Sequence, residues 1–145
     1  MLLAALALIG LLVATYLTLY KLGYIGQLAC AVGSCETVNT SRWATFLGLP
    51  VAAWGLGFYV ATLVLAIIGV QERLADSRQV SVALVALTGW GLLFSSWLTY
   101  LELFVIDAIC MWCVISAIIV ALMFLVSVAD LREFGRSTDA EPLVG

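Results

Sequence analysis

Four cysteines in two close pairs, and no histidine, define the chemistry open to this chain. Cys110-Met111-Trp112-Cys113 is a CxxC at the head of a long apolar run, and Cys30 and Cys35 lie in a loop nearer the N-terminus. The CxxC spacing suits two-electron thiol–disulfide exchange. At the start of a helix its first thiol meets the positive end of the helix dipole, which lowers its pKa and raises its thiolate fraction. If the loop folds back over the CxxC, Cys35 can attack a Cys110–Cys113 disulfide, and the loop disulfide re-forms for another cycle. Two rival readings use the same thiols. They are structural disulfides bracing an exported loop, and a zinc site of four thiolates. A CxxC inside a helix is a poor staple, and an oxidising site beside lipid disfavours zinc, so no metal is expected.

The elements that position these residues are membrane spans. The chain has 145 residues, 65% of them hydrophobic and only 10% charged, with a mean hydropathy of +1.19. Apolar stretches of about 20 residues recur, each able to cross a hydrocarbon core of about 30 Å. Met1 to Tyr20 is the first, closed by Lys21. It lacks the basic head and cleavage site of a signal peptide. Pro50 to Val70, Val80 to Leu101 and Ala108 to Val128 are the others. The predicted fold class is therefore an all-α integral membrane protein, a four-transmembrane-helix bundle. Residues 1–128 form its domain, and residues 129–145 a polar, disordered tail.

Between the first two spans, Lys21 to Leu49 is rich in glycine and polar residues and carries Cys30 and Cys35. Asn39, Thr40 or Ser41 can cap a short loop helix running through Phe46. Gly48 and Pro50 punctuate the entry to the second span, where Gly55 and Gly57 would allow close helix approach. Gln71 to Gln79 is the most polar connector between spans. Glu102 to Asp107 is an acidic-ended turn whose carboxylates could tune the CxxC thiols or shuttle protons, but are read in preference as solvated turn residues.

Four spans place both termini on one side. Arg73, Arg78, Arg132 and Arg136 fall on that side, and Lys21 and Arg42 on the other. The positive-inside rule then puts the termini in the cytoplasm and all four cysteines at the outer, oxidising face. A net charge of −3 gives no support to nucleic-acid binding, which would need a basic patch.

A membrane dithiol needs an oxidant that reaches it. No flavin or nucleotide fingerprint is present, and no histidine could ligate haem, so a lipid-soluble quinone, ubiquinone or menaquinone, fits by elimination. Aromatic residues crowd the outer half of the bundle, among them Tyr16, Trp43, Trp54, Phe58, Trp97, Tyr100 and Trp112. They are read as a quinone pocket in preference to an interfacial belt alone. Ser41 can hydrogen-bond a carbonyl ligand. As a bland alternative it is a helix cap, with Arg42 an interface anchor.

Taken together, these residues resemble the vitamin K epoxide reductase family over nearly the whole chain up to about Val128. The likeness rests on the loop cysteine pair, Ser41-Arg42-Trp43, Gly55 early in the second span, and a CxxC opening the fourth helix. In the functionally similar DsbB-type quinone reductases the CxxC comes in the first loop instead. The resemblance implies a bundle around a quinone with the loop helix as a lid. It also implies that Cys30 meets the redox partner, Cys35 attacks Cys110, and Cys113 lies against the quinone. The implied partner is a separate thioredoxin-fold, DsbA-like dithiol protein, and the implied location is the bacterial inner membrane. Here the Cys30 to Cys35 spacing is shorter than usual in the family. Vitamin K-reducing members carry an asparagine near Val51 and a tyrosine near Ala117. Plain quinone reduction is therefore expected, with vitamin K quinone or epoxide reduction the alternative. From other classes, a structural membrane subunit and a small transporter remain, the latter weakened by spans without charges or breaks. The resting disulfides are left open between Cys30–Cys35 with Cys110–Cys113 and a crossed Cys35–Cys110 state.

Overall fold

The computed structural model describes residues 1–71 and 77–139; Arg73 and residues 140–145 lie outside them. Four of its helices are long and apolar enough to cross a membrane. Helix α1 spans Leu2–Lys21, and α2 is the short loop helix Cys35–Thr40. A two-stranded hairpin follows, β1 Thr45–Phe46 and β2 Leu49–Pro50. Helices α3, Val51–Val70, α4, Arg78–Leu101, and α5, Met111–Asp139, complete the bundle.

Each boundary has a local cause. Lys21 closes α1, and Gly23 follows in the left-handed region (φ 83°). The Leu22, Gly23 and Tyr24 amides donate to the carbonyls of Thr18, Tyr20 and Leu19, which satisfies the last turn. Helix α4 widens into a π turn over Glu102–Ile106. It stops at Asp107, also left-handed (φ 52°), where the Ala108 amide donates back to the Glu102 carbonyl at 3.1 Å.

Helix α1 packs against α3 and α5, and α4 against α5. The mid-bundle core joins Leu3, Ala7, Ala14, Tyr59, Ala66, Leu84, Ile119, Val120 and Met123. Outward positions such as Leu12, Val64, Leu93, Ile118 and Leu125 are exposed, as lipid-facing side chains must be. Without a hydrophobic drive between helices in lipid, close approach depends on small residues. That role falls to Gly10 and Gly91. A Cβ on Gly10 would stand 2.1 Å from the Tyr59 ring, and one on Gly91 would stand 2.5 Å from the Phe58 ring. Gly55 meets only Ala14 at 3.9 Å and Gly57 opens into free space, so neither is the close-approach glycine expected.

The loop differs from its expected form. Its helix begins at Cys35, not at the Asn39–Ser41 cap, and ends at Thr40. Arg42–Ala44 then form a single 3-10 turn leading into the hairpin. The hairpin turn needs Leu47 (φ 52°) and Gly48 (φ 80°) left-handed, a geometry that no helix through Phe46 would allow. The fourth span continues past Val128 to Asp139, because nothing in Ala129–Asp139 breaks a helix except the tolerated Gly135.

Candidate functional site

The four cysteines meet at one end of the bundle. The loop folds back over the CxxC, and Gly33 pairs with Cys110 in an isolated antiparallel bridge. The Ser34 amide donates to the Ile109 carbonyl at 2.8 Å. Gly33 is left-handed (φ 92°), and a Cβ there would lie 2.3 Å from that carbonyl oxygen, so only glycine makes the approach. The other side of the loop is held by Tyr16 and Trp112. The Ala29 amide donates to the Tyr16 hydroxyl at 3.0 Å, and Trp112 Nε1 donates to the Ala29 carbonyl at 2.8 Å.

Cys30 and Cys35 form a disulfide, while Cys110 and Cys113 are free thiols. This matches neither of the two patterns left open above: it is a half-oxidised state, with the loop pair closed and the CxxC reduced. Cys35 (1% exposed) and Cys110 (0%) are buried in one apolar cluster with Val13, Leu17, Leu28 and Val38. Cys30 is half-buried nearer the surface.

Cys110 sits immediately before α5, and its carbonyl accepts the Val114 amide of the first turn. Its thiol is lowered to about 7, chiefly by the hydrogen bond from Cys113 that stabilises the thiolate. Asn39, buried on α2, donates through Nδ2 to the Cys35 carbonyl at 2.9 Å and reaches Cys110 Sγ at 3.7 Å. Lys21 Nζ donates to the Asn39 carbonyl at 2.7 Å, tying α1 to the loop helix.

Glu102 corrects the expectation of a solvated turn residue. It is only 5% exposed, and its Oε2 accepts the Cys110 amide at 3.2 Å. The π turn swings it inward; Asp107, at the far end, is exposed as expected.

Beneath the loop lies a cavity of about 990 Å³, lined by Cys113, Glu102, Lys21, Asn39 and a largely apolar wall. Ser41, Trp43, Trp54, Phe58 and Trp97 line it, together with Trp90 and Phe94. Tyr100 and Trp112 are not among its walls. Tyr100 is 52% exposed and stacks on Trp97 at 6.2 Å, and Trp112 packs on Tyr16 at 5.2 Å. Ser41 ends α2, and its hydroxyl donates to the Val38 carbonyl at 2.7 Å. The Arg42 guanidinium lies over the Trp43 ring at 4.9 Å. Trp54 Nε1 donates to the Phe46 carbonyl at 3.1 Å and so pins the hairpin to α3.

Asn39, named only as a helix cap, and Tyr59 escape the sequence reading, and Glu102 is weighed there but read as solvated. Tyr59 is buried, with its hydroxyl 2.7 Å from Ser116 Oγ. A polar residue within a nearly apolar segment is the signal that marks both Glu102 and Tyr59. Asn39 has no such mark in a polar loop. Among the described residues no cluster of histidine, cysteine or carboxylate could hold a metal ion. The arrangement is equipped for dithiol–disulfide redox chemistry, and residues 1–128 match the family model described as the vitamin K epoxide reductase family. The chain belongs to that family of oxidoreductases.

Proposed function

We propose that the protein is a thiol:quinone oxidoreductase of the bacterial inner membrane. It would oxidise a separate thioredoxin-fold dithiol protein and reduce ubiquinone or menaquinone. One observation carries the reading: the CxxC is divided, with Cys110 buried against the loop disulfide and Cys113 lining the apolar cavity. The partner dithiol gives two electrons and two protons to Cys30–Cys35. Cys35 then attacks Cys110 of an oxidised CxxC, and Cys30 closes back on Cys35, leaving Cys110 and Cys113 as thiols. When these two sulfurs join, two electrons and two protons go to the quinone, giving the quinol.

A cavity of about 990 Å³, aromatic-walled and mostly apolar, with polar side chains that include Lys21, Asn39, Ser41 and Glu102, supports a quinone ring as its occupant. Val51 and Ala117 both line it and offer no donor to a ring oxygen, which favours plain quinone over epoxide reduction. Lys21 and Arg42 at the cysteine end, against Arg78, Arg132 and Arg136 at the other, support cytoplasmic termini.

The test is single-turnover mixing of the fully reduced, detergent-purified protein with an oxidised quinone, reading quinone absorbance and free thiols together. Stoichiometric quinol should form. It should require Cys110 and Cys113, and persist for one pair's electrons when Cys30 and Cys35 are both serine. Thiols that stay reduced with both ubiquinone and menaquinone overturn the proposal.

A further inference from the structure

A carboxylate at membrane depth is costly, and chains retain one where it works. Glu102 is such a group. It ends α4 in a π turn, a distortion that recurs at functional sites. Its side chain is buried, lines the same cavity as Cys113, and accepts a hydrogen bond from the Cys110 amide at 3.2 Å. Holding one backbone amide needs only a neutral acceptor, so that contact alone leaves an ionisable group at this place unexplained.

We propose that Glu102 is a catalytic residue that carries protons from the CxxC side of the cavity to the acceptor. The assignment rests on the thiol:quinone reading above. As the Cys110 and Cys113 sulfurs join, two electrons pass to the ring acceptor. The Cys113 proton moves to the Glu102 carboxylate and from there to one ring oxygen. The Cys110 proton is released to water. The carboxylate takes a second proton from water at the polar end of the cavity and delivers it to the other ring oxygen. Two protons leave the thiols, two reach the acceptor, and Glu102 ends ionised as it began. The ionisable groups around it are Cys110, just before α5, and Cys113 of α5, with Lys21 of α1 and Tyr59 of α3 lining the same cavity. The Lys21 ammonium is engaged by the Asn39 carbonyl, and Glu36 of α2 is exposed. Among these groups, Glu102 is the one carboxylate in position.

Glu102→Gln keeps the volume and an acceptor for the Cys110 amide but cannot carry a proton. In single-turnover reduction of a short-chain ubiquinone by the fully reduced protein, the variant should be at least 30-fold slower at pH 7. The half-saturating quinone concentration should stay within twofold, and exchange between the two cysteine pairs within threefold. Glu102→Asp should recover part of the rate, and acetate should partly rescue Glu102→Ala. A Gln variant within threefold of wild type overturns the proposal. So does a slow Gln variant with unchanged pH profile and no acetate rescue of Ala, which would mark a purely positioning role. If the wild-type protein itself reduces no quinone, the acceptor reading falls and the assignment falls with it. That outcome is recognised by intact pair-to-pair exchange without quinol.

Discussion

Gly33 approaches Ile109 so closely that a Cβ would stand 2.3 Å from the Ile109 carbonyl oxygen, the atom that accepts the Ser34 amide. The contact sets the register of the loop disulfide on the CxxC. A left-handed φ of 92° at Gly33 adds a second reason for glycine there.

Gly33→Ala therefore should lift the loop without disturbing the bundle. Backbone strain of about 1–3 kcal/mol at one residue corresponds to roughly 5- to 150-fold in an equilibrium. Exchange between Cys30–Cys35 and Cys110–Cys113, followed by trapping free thiols, should slow at least tenfold. Quinone reduction by thiols already present on the CxxC should change less than threefold.

The Cys110 thiol, lowered to about 7 by the Cys113 hydrogen bond, gives a pH test. Below that pH Cys110 is protonated and a poor nucleophile; above it the thiolate attacks. In Cys113→Ser, whose hydroxyl still donates, formation of a Cys35–Cys110 mixed disulfide should rise through a midpoint near 7. In Cys113→Ala the midpoint should move to higher pH. Quenched alkylation at fixed times, resolved by mass spectrometry, reads both.

The cavity wall separates two aromatics that composition alone cannot. Trp54 lines the cavity, and Tyr100 stacks on Trp97 outside it. Trp54→Ala should raise the KM for a short-chain quinone at least fivefold, and Tyr100→Ala less than twofold. Steady-state quinone titrations with a reduced dithiol donor would show the difference.

Gly91 lines the same cavity beside Phe58. A side chain there meets the Phe58 ring at 2.5 Å and must push it toward the cavity that Phe58 lines. Gly91→Val should raise the quinone KM severalfold and leave exchange between the cysteine pairs unchanged.

Tyr59→Phe tests the core instead. Its hydroxyl pairs with Ser116 at 2.7 Å in a buried setting, so its loss should cost about 1 kcal/mol of bundle stability. Denaturation in mixed micelles, compared with wild type, measures it.

Much of this was legible from residues alone. Hydropathy located four spans because lipid demands long apolar runs, and the CxxC announced itself by spacing. The end of the third span was harder. Leu-Phe-Val-Ile after Glu102 reads as either helix or turn, and the π turn that buries Glu102 leaves no periodic trace. The loop misled for a related reason. Asn39, Thr40 and Ser41 are all good caps, but Cys35 already lies in helix, held by the Gly33 contact rather than by local propensity. Asn39 then turns inward to the Cys35 carbonyl and the Cys110 sulfur, a placement set by tertiary packing.

Both cysteine pairs, and the thiol that faces the acceptor cavity, lie at one end of the bundle. In the proposed relay, electrons moving from Cys30 to Cys113 would thus travel along the membrane plane, not across it. If both protons are drawn and released at that same end, no net charge traverses the bilayer during turnover. A transmembrane voltage, which acts at about 2.3 kcal/mol per elementary charge per 100 mV, would then find nothing in this cycle to push against. Disulfide formation would proceed equally in energised and de-energised membranes, limited only by the ratio of quinone to quinol.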